Sequence, residues 1–502
     1  MKLHQFFDHH GIARNPFAEE DAQTDPVFQE HCIENTLHPT WDKIYGDPRV
    51  PTTSIVFGEK GSGKTAVCMQ IAHKLQKYNE ENPDKRIWVI HYDDFNHFLD
   101  RFRDKLPSRR QAAEKVLDEF ELSDHMDAIL TVSTTGLVDG ILGSRQSRTR
   151  TTGEIRHTDV EKMNRHQSRD LLLLSACYDE STQETFQGRW HRIRQRLEFS
   201  TWRSMWDRLL AVTLAPIILL IMLFMQFGGH GETLASSWFI FLLLIIAACS
   251  PLGWKFFKCH KRARQVVRAL KIGNRETGPM RSVMMHFGSD EIAEQPLPER
   301  DRTDGRYGLM DKLQNILNTL GFDGVIVLVD RVDEPHLITG SAELMKSLVW
   351  PMLDNKFLKH QGFGMKLMLP IELTRYIDRE DKDFYERARL DKQNVIKSFD
   401  WSAESLHDVT NSRIIACAEK GSDPKLRDLL SPDVTDQRLM EALRLLRVPR
   451  HLFKFMHRVC VDHCNSFTDQ DPSWQVSAGC FESTLAVVLR DQDAYDRGLG
   501  AG

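Results

Sequence analysis

Pro51-Thr52-Thr53-Ser54-Ile55-Val56-Phe57, running directly into Gly58-Glu59-Lys60-Gly61-Ser62-Gly63-Lys64-Thr65, is the stretch on which the fold turns. Its first half is rich in β-branched and aromatic residues, which predicts a strand. Its second half has the spacing GxxxxGKT, and residues 65–76 then carry Val67, Ile71, Ala72 and Leu75 at helical spacing. Strand, glycine-rich turn and helix in that order predict a phosphate loop. The glycines let backbone N–H groups turn inward, and the helix N-terminus adds partial positive charge. The expected phosphate-binding set is Gly58, Glu59, Lys60, Gly61, Ser62, Gly63, Lys64, Thr65 and Ala66, with Lys64 bridging the terminal phosphates and Thr65 offering its hydroxyl to Mg2+.

A second motif far along the chain completes this one. Gly324-Val325-Ile326-Val327-Leu328-Val329-Asp330-Arg331-Val332-Asp333-Glu334 is a continuous apolar run ending in acids. Such a run predicts a strand buried on both faces of a parallel sheet, delivering carboxylates at the edge where these sheets bind ligands. Asp330 is the expected Mg2+ partner, and Glu334 or Asp333 the residue that orients or deprotonates an attacking water. Residues 307–320 carry Leu309, Leu313, Ile316, Leu317 and Leu320 on one helical face and supply a crossover helix. Further strands are predicted at 87–92 and 365–370. The result is an α/β fold, a parallel sheet with helices on both faces.

Between these halves lies far more chain than a crossover needs. Residues 209–229 and 233–254 contain no charged residue, and each is long enough to cross the hydrocarbon layer as a helix. Only a few residues separate them, so they predict a tight transmembrane hairpin with both ends on one side. Arg189, Arg192, Arg194, Arg196, Arg203 and Arg208 precede it, and Lys255, Lys258, Lys261, Arg262, Arg264, Arg268 and Lys271 follow it. The positive-inside rule then places the N- and C-terminal parts in the cytoplasm. The basic flanks read as contacts to anionic lipid. Residues 143–153 read as a polar basic loop.

Composition narrows the rest. The formal net charge is −5, so nothing in the total indicates a nucleic-acid partner. Nine scattered cysteines without a CxxC pair read as reduced thiols. His457, Cys460, His463 and Cys464 lie close enough to raise a zinc site, but without a second ligand pair the segment reads as a packed lid helix. The first 17 residues lack an apolar core, so no secretory signal is expected and the mature chain is expected to start at Met1.

Together the two motifs, Gly58–Thr65 and Asp330 with its following acids, resemble the AAA+/STAND side of the P-loop NTPases. A hairpin lodged between them resembles the KAP group of that class. The opening, Phe6-Phe7, Gly11, Asn15-Pro16-Phe17 and Asp25-Pro26-Val27-Phe28, is similar to the start of general-secretion A type and origin-recognition-like ATPases. The resemblance implies ATP as ligand and substrate, with Mg2+. It implies a sensor position near Glu372, Thr374 or Arg375, an arginine finger at Arg389 (with Arg387 beside it) ahead of a fifth strand over 394–399, and a C-terminal helical lid in which Arg450 of Val448-Pro449-Arg450-His451-Leu452 faces the nucleotide. Arg331 departs from the AAA+ pattern, where a glutamate usually follows the aspartate, and the departure implies slow turnover.

The expected organisation is therefore an N-terminal ATPase part over 1–98, an inserted mainly helical region over 99–208, the hairpin over 209–254 and a basic juxtamembrane linker over 255–305. The remainder of the ATPase core follows over 306–400, the lid over 401–465, and a terminal helix and tail over 466–502. The expected function is a membrane-anchored cytoplasmic ATPase acting as a conformational or assembly switch, with a homo-oligomer or a protein partner. The alternative is an ATP-gated membrane scaffold with negligible hydrolysis.

Overall fold

The computed structural model describes residues 1–34, 36–143, 151–180, 184–202, 213–214, 216–221, 223–224, 231–293, 295–299 and 302–496. Six strands form one mixed, mostly parallel sheet: β1 (Ser54–Gly58), β2 (Arg86–Tyr92), β3 (Thr151–Thr152), β4 (Phe322–Val329), β5 (Phe363–Pro370) and β6 (Asn394–Ile396). Their order is β3-β2-β4-β5-β1-β6. The pairs β4/β5, β5/β1 and β1/β6 are parallel and β2/β3 is antiparallel. The apolar runs read from the sequence form β1, β2, β4 and β5, and β1 and β5 are buried along their whole length.

The chain divides into two compact units, residues 1–83 with 325–502, and residues 84–324; β4 crosses the boundary. In the first unit, parallel alignment puts the ends of β1, β5 and β4 on one edge: Leu367 of β5 registers with Ile55 on one side and Val329 on the other. The turns after these strands therefore gather there. The last helices, among them Ala403–Ala416, Asp436–Leu446, Pro449–Asn465 and Ala478–Asp496, share an apolar core with the N-terminal segment. Phe6, Phe7, Ile12, Phe17 and Phe28 pack there with Leu406, Ile414, Leu443, Leu452 and Val459.

Buried polar residues in this unit find partners. Lys366, wholly buried in β5, donates from Nζ to Ile44 O at 2.7 Å and Tyr45 O at 3.1 Å, at the C-terminal end of the short helix Trp41–Tyr45. Burial lowers its ammonium to about 7. Arg413 is likewise buried and paired with Asp25 at 2.5 Å.

The second unit is built around the helix Leu122–Leu142, which is buried along nearly its full length. It packs with the helices Arg165–Tyr178, Phe186–Arg196 and Asp304–Thr319 and with β2. The sequence reading assigned β2 to the N-terminal ATPase part. By its contacts β2 falls in the second unit, together with residues of the inserted region and of the segment that leads into β4. Trp88 meets Phe322 edge-on and donates from Nε1 to Ser133 Oγ at 3.0 Å, and Arg86 pairs with Asp159 at 3.2 Å. Arg306 is the main polar anchor: it forks onto Asp127 at 3.0 and 2.8 Å, and Tyr178 adds a hydroxyl to the same carboxylate at 2.8 Å.

One helix among the described residues, within Leu242–Ala269, is long and apolar enough to cross a membrane, and little of its most apolar window is buried. The expected pair is thus reduced to one candidate. Residues 209–229 lie largely outside the described residues; those described within them are helical. The helix also runs on, from Gly231 to Ala269, into the basic juxtamembrane segment that follows residue 254. Lys255, Cys259, Ala263, Val266 and Ala269 form a buried stripe at helical spacing, packed with the helix Thr277–Met284, and this apolar stripe is why basic sequence stays helical. Arg306 Nη2 reaches Ala269 O at 3.3 Å and Lys105 Nζ reaches Leu270 O at 2.7 Å, placing two cations at the helix C-terminus, where its dipole favours them. The basic loop 143–153 falls mostly outside the described residues, apart from β3 and its neighbours.

Replacing Arg306 by Leu leaves the Asp127 carboxylate buried without its cation, and the expected loss of stability is about 3–5 kcal/mol. The urea midpoint of the full-length protein measures it. Adding Asp127→Leu is expected to recover much of that loss, because the uncompensated charge is then gone.

Candidate functional site

The glycine-rich turn sits between β1 and the helix Lys64–Glu81. Gly61 and Gly63 both have positive φ, +86° and +94°, a region that residues with a Cβ rarely adopt. At Gly61 space forbids one too: an added Cβ would lie 2.6 Å from the Cβ of Arg450. Lys64 Nζ donates to Gly58 O at 2.8 Å and Glu59 O at 2.9 Å, so the amine lies along the turn it belongs to. Burial lowers its pKa, and the carboxylates of Asp330, Asp333 and Glu372 pull it back up.

Thr65 Oγ1 donates to Asp330 Oδ2 at 2.7 Å, joining residues 265 positions apart. Burial raises the Asp330 carboxyl, opposed by the Thr65 hydrogen bond and by the Lys64 charge. Asp330 is reached because β4 ends beside β5, and β5 beside β1.

These residues open onto one cavity. Lys60, Gly61, Gly63, Lys64, Thr65 and Ala66 line it on one side, Asp330, Asp333 and Glu334 on another, and Arg450 with Pro449 on a third. Gly58, Glu59 and Ser62 act from behind: the first two supply carbonyls to Lys64, and Ser62 O accepts from Trp401 Nε1 at 2.8 Å. Arg450 stands at the start of the helix Pro449–Asn465, and its backbone N–H donates to Gly61 O at 3.4 Å.

Not every expected residue joins them. Arg389 caps the helix Lys382–Ala388 in a left-handed conformation and pairs with Asp391 at 3.1 Å, outside the cavity. Arg387 is exposed beside it. Glu372 belongs to the turn after β5 and acts on Lys64 through its charge; Thr374 has a buried hydroxyl, and Arg375 is exposed. His457, Cys460, His463 and Cys464 are taken up by packing. His457 contacts Asn15 at 3.2 Å, His463 Nε2 bonds Ser473 O at 2.8 Å, and burial pushes the Cys460 thiol well up. Among the described residues no group of three or more His, Cys, Asp or Glu side chains has the arrangement to hold a metal.

Other lining residues were not foreseen. Arg413, from the helix Ala403–Ala416, donates from Nε to Pro16 O at 2.8 Å, pairs with Asp25, and lies 4.4 Å over the Phe453 ring. The Asn15-Pro16-Phe17 and Asp25-Pro26 segments are thus the receptors of a buried arginine, a role their motif did not announce. Phe28, Cys32, Val409 and Phe453 give the cavity an apolar wall, and Trp401, His38 and Gln70 a mixed one.

Two buried donors around the turn have no partner, Ser62 Oγ and Arg450 Nε. Orphaned buried donors beside a lysine and a helix N-terminus suit an anion. The Thr65 hydroxyl and Asp330 carboxylate, hard oxygen donors held together, suit Mg2+. No family model matches the chain, and neither a curated protein nor a solved structure does.

His38 illustrates how tightly the cavity floor is wired. Its Nδ1 accepts from Thr40 N at 3.1 Å, its Nε2 faces Asp400 O at 3.0 Å, and its ring stacks 3.7 Å from Phe399. Burial lowers its pKa to about 4. As pH falls, an unfolded imidazole takes its proton near 6.5 while the folded one stays neutral to about 4. The stability supplied by His38 is therefore complete above about pH 6.5 and lost progressively down to about pH 4. Stability measured across that window is expected to fall less steeply in His38→Gln than in the native protein.

Proposed function

We propose that the chain is a membrane-anchored ATPase with a P-loop NTPase core, which binds Mg-ATP and hydrolyses it slowly to drive a conformational or assembly switch. The Thr65–Asp330 hydrogen bond carries this reading, because it joins the phosphate-loop motif to the acidic strand end inside one cavity. Lys64 and the turn amides would hold the phosphates, Arg450 would add charge from the lid, and Thr65 and Asp330 would hold Mg2+, which when bound neutralises phosphate charge. In the hydrolytic step a water oxygen bonds to the γ-phosphorus, the bond to the β–γ bridging oxygen breaks, and ADP leaves. Glu334, or Asp333, takes the proton of that water. Arg389, outside the cavity of its own chain, suits a finger offered to a neighbouring copy.

The same reading extends to a KAP-type arrangement, with residues 209–254 as a hairpin anchor and both termini cytoplasmic. The exposed apolar window of the Leu242–Ala269 helix and the cations that follow it within that helix support this. The alternative, an ATP-gated scaffold with negligible turnover, draws on a different observation: Glu334 is engaged with Arg331 at 2.5 Å.

Lys64→Ala is expected to weaken Mg-ATP binding at least about tenfold, measured by equilibrium dialysis of the solubilised protein. Glu334→Gln is expected to keep that affinity while lowering turnover by about 10²-fold. A rate untouched by the second substitution removes Glu334 from catalysis. For the anchor, alkaline carbonate extraction is expected to leave the full chain in the membrane pellet and to release a variant lacking residues 209–254.

A further inference from the structure

Arg331 occupies an unusual position. It follows Asp330 directly and has φ +61°, a conformation unfavourable for any residue with a Cβ. The turn so formed brings Glu334 N to 3.2 Å from Arg331 O and folds the two side chains together. Arg331 Nη2 then lies 2.5 Å from Glu334 Oε2. Its other terminal nitrogen, Nη1, donates to Gln23 Oε1 at 3.2 Å. Gln23 is part of the N-terminal segment whose Asp21, Ala22 and Asp25 line the same cavity, and its backbone N–H donates to Asp21 Oδ1 at 3.0 Å. One guanidinium thus holds the candidate proton acceptor and a wall of the cavity at once.

We infer that Arg331 is a positioning residue that restrains Glu334 and links its release to the N-terminal segment through Gln23. The inference rests on the reading of the cavity as an ATP site. A carboxylate oxygen engaged by a guanidinium is not directed at a water molecule, so the ion pair must open before Glu334 accepts a proton. The pair is local, half exposed and hence weak, which suits a restraint that is opened in each cycle rather than a structural lock. Gln23 supplies the second anchor. A displacement of residues 20–25 when the cavity fills would withdraw that anchor from the guanidinium. Arg331 then acts as a brake, and slow turnover is a property of the intact clamp.

The test is steady-state Mg-ATP hydrolysis and ATP affinity of the full-length, detergent-solubilised protein. Arg331→Gln keeps a Cβ in the same backbone conformation and removes only the cation. It is expected to raise kcat about two- to fivefold, the size suited to releasing an exposed ion pair, with ATP affinity within about twofold of native. Arg331→Lys, which retains a cation for Glu334, is expected to stay near the native kcat. Arg331→Gln/Glu334→Gln is expected to fall to the rate of Glu334→Gln alone, since the brake has nothing left to hold. Gln23→Ala lies on a different segment and is expected to raise kcat in the same direction, so it decides the matter if Arg331→Gln does not fold. An unchanged or reduced kcat in Arg331→Gln, or a rise that persists in the double variant, overturns the clamp while leaving ATP binding intact. Native protein that binds no ATP overturns the site reading and the clamp with it.

Discussion

The hydrogen bond from Thr65 to Asp330 is the constraint on which the rest of the structure depends. It closes a separation of 265 residues, and it exists because β1, β5 and β4 lie side by side and point the same way. Parallel strands cannot be joined by a tight turn, so each needs a long excursion before the chain returns to the sheet. Here the excursion between the two motifs is a folded unit of its own, residues 84–324, with its own buried helix and its own ion pairs. That excursion ends in the helix Asp304–Thr319, which precedes β4 by two residues.

The first unit places its charges with unusual economy. Arg413 is buried under Phe453 and answers Asp25, while Arg450 lies against Gly61, where a single methyl group would collide with it. Both arginines belong to the C-terminal helices, and both contact segments more than 380 residues earlier in the chain. The C-terminal helices are therefore bound to the cavity through charge and close approach as well as through the shared apolar core of Phe6, Phe17 and Leu452.

The second unit resolves a different problem, how a helix containing Asp124, Asp127 and Asp139 is buried. Each of these carboxylates is matched by a cation from another element: Lys271, Arg306 and Arg189. Ion pairs of this kind contribute little net stability against apolar packing, but losing one partner is costly, so they favour one arrangement of helices over others. Arg306 also reaches the end of the Gly231–Ala269 helix. The candidate membrane helix is thereby seated in the same polar network that orders the unit.

The sequence by itself determined the strands and the chemistry of their ends. Continuous apolar runs need two covered faces, and a GxxxxGKT turn needs its glycines wherever it occurs, so β1, β4, β5 and the turn after β1 were legible from local pattern. Residues whose roles come from contacts across the chain were not. Arg413 looks like a solvent-facing arginine until Asp25 is beside it, Asp127 like a surface acid until Arg306 covers it, and the basic stretch 255–269 like a lipid-facing flank until its buried face is packed. The tertiary structure also decided that Arg389 stands away from the cavity and that Arg331 holds Glu334. The physical reason is that periodicity reports which face of an element avoids water, whereas the partner of a buried charge is set by which distant segment the fold brings against it.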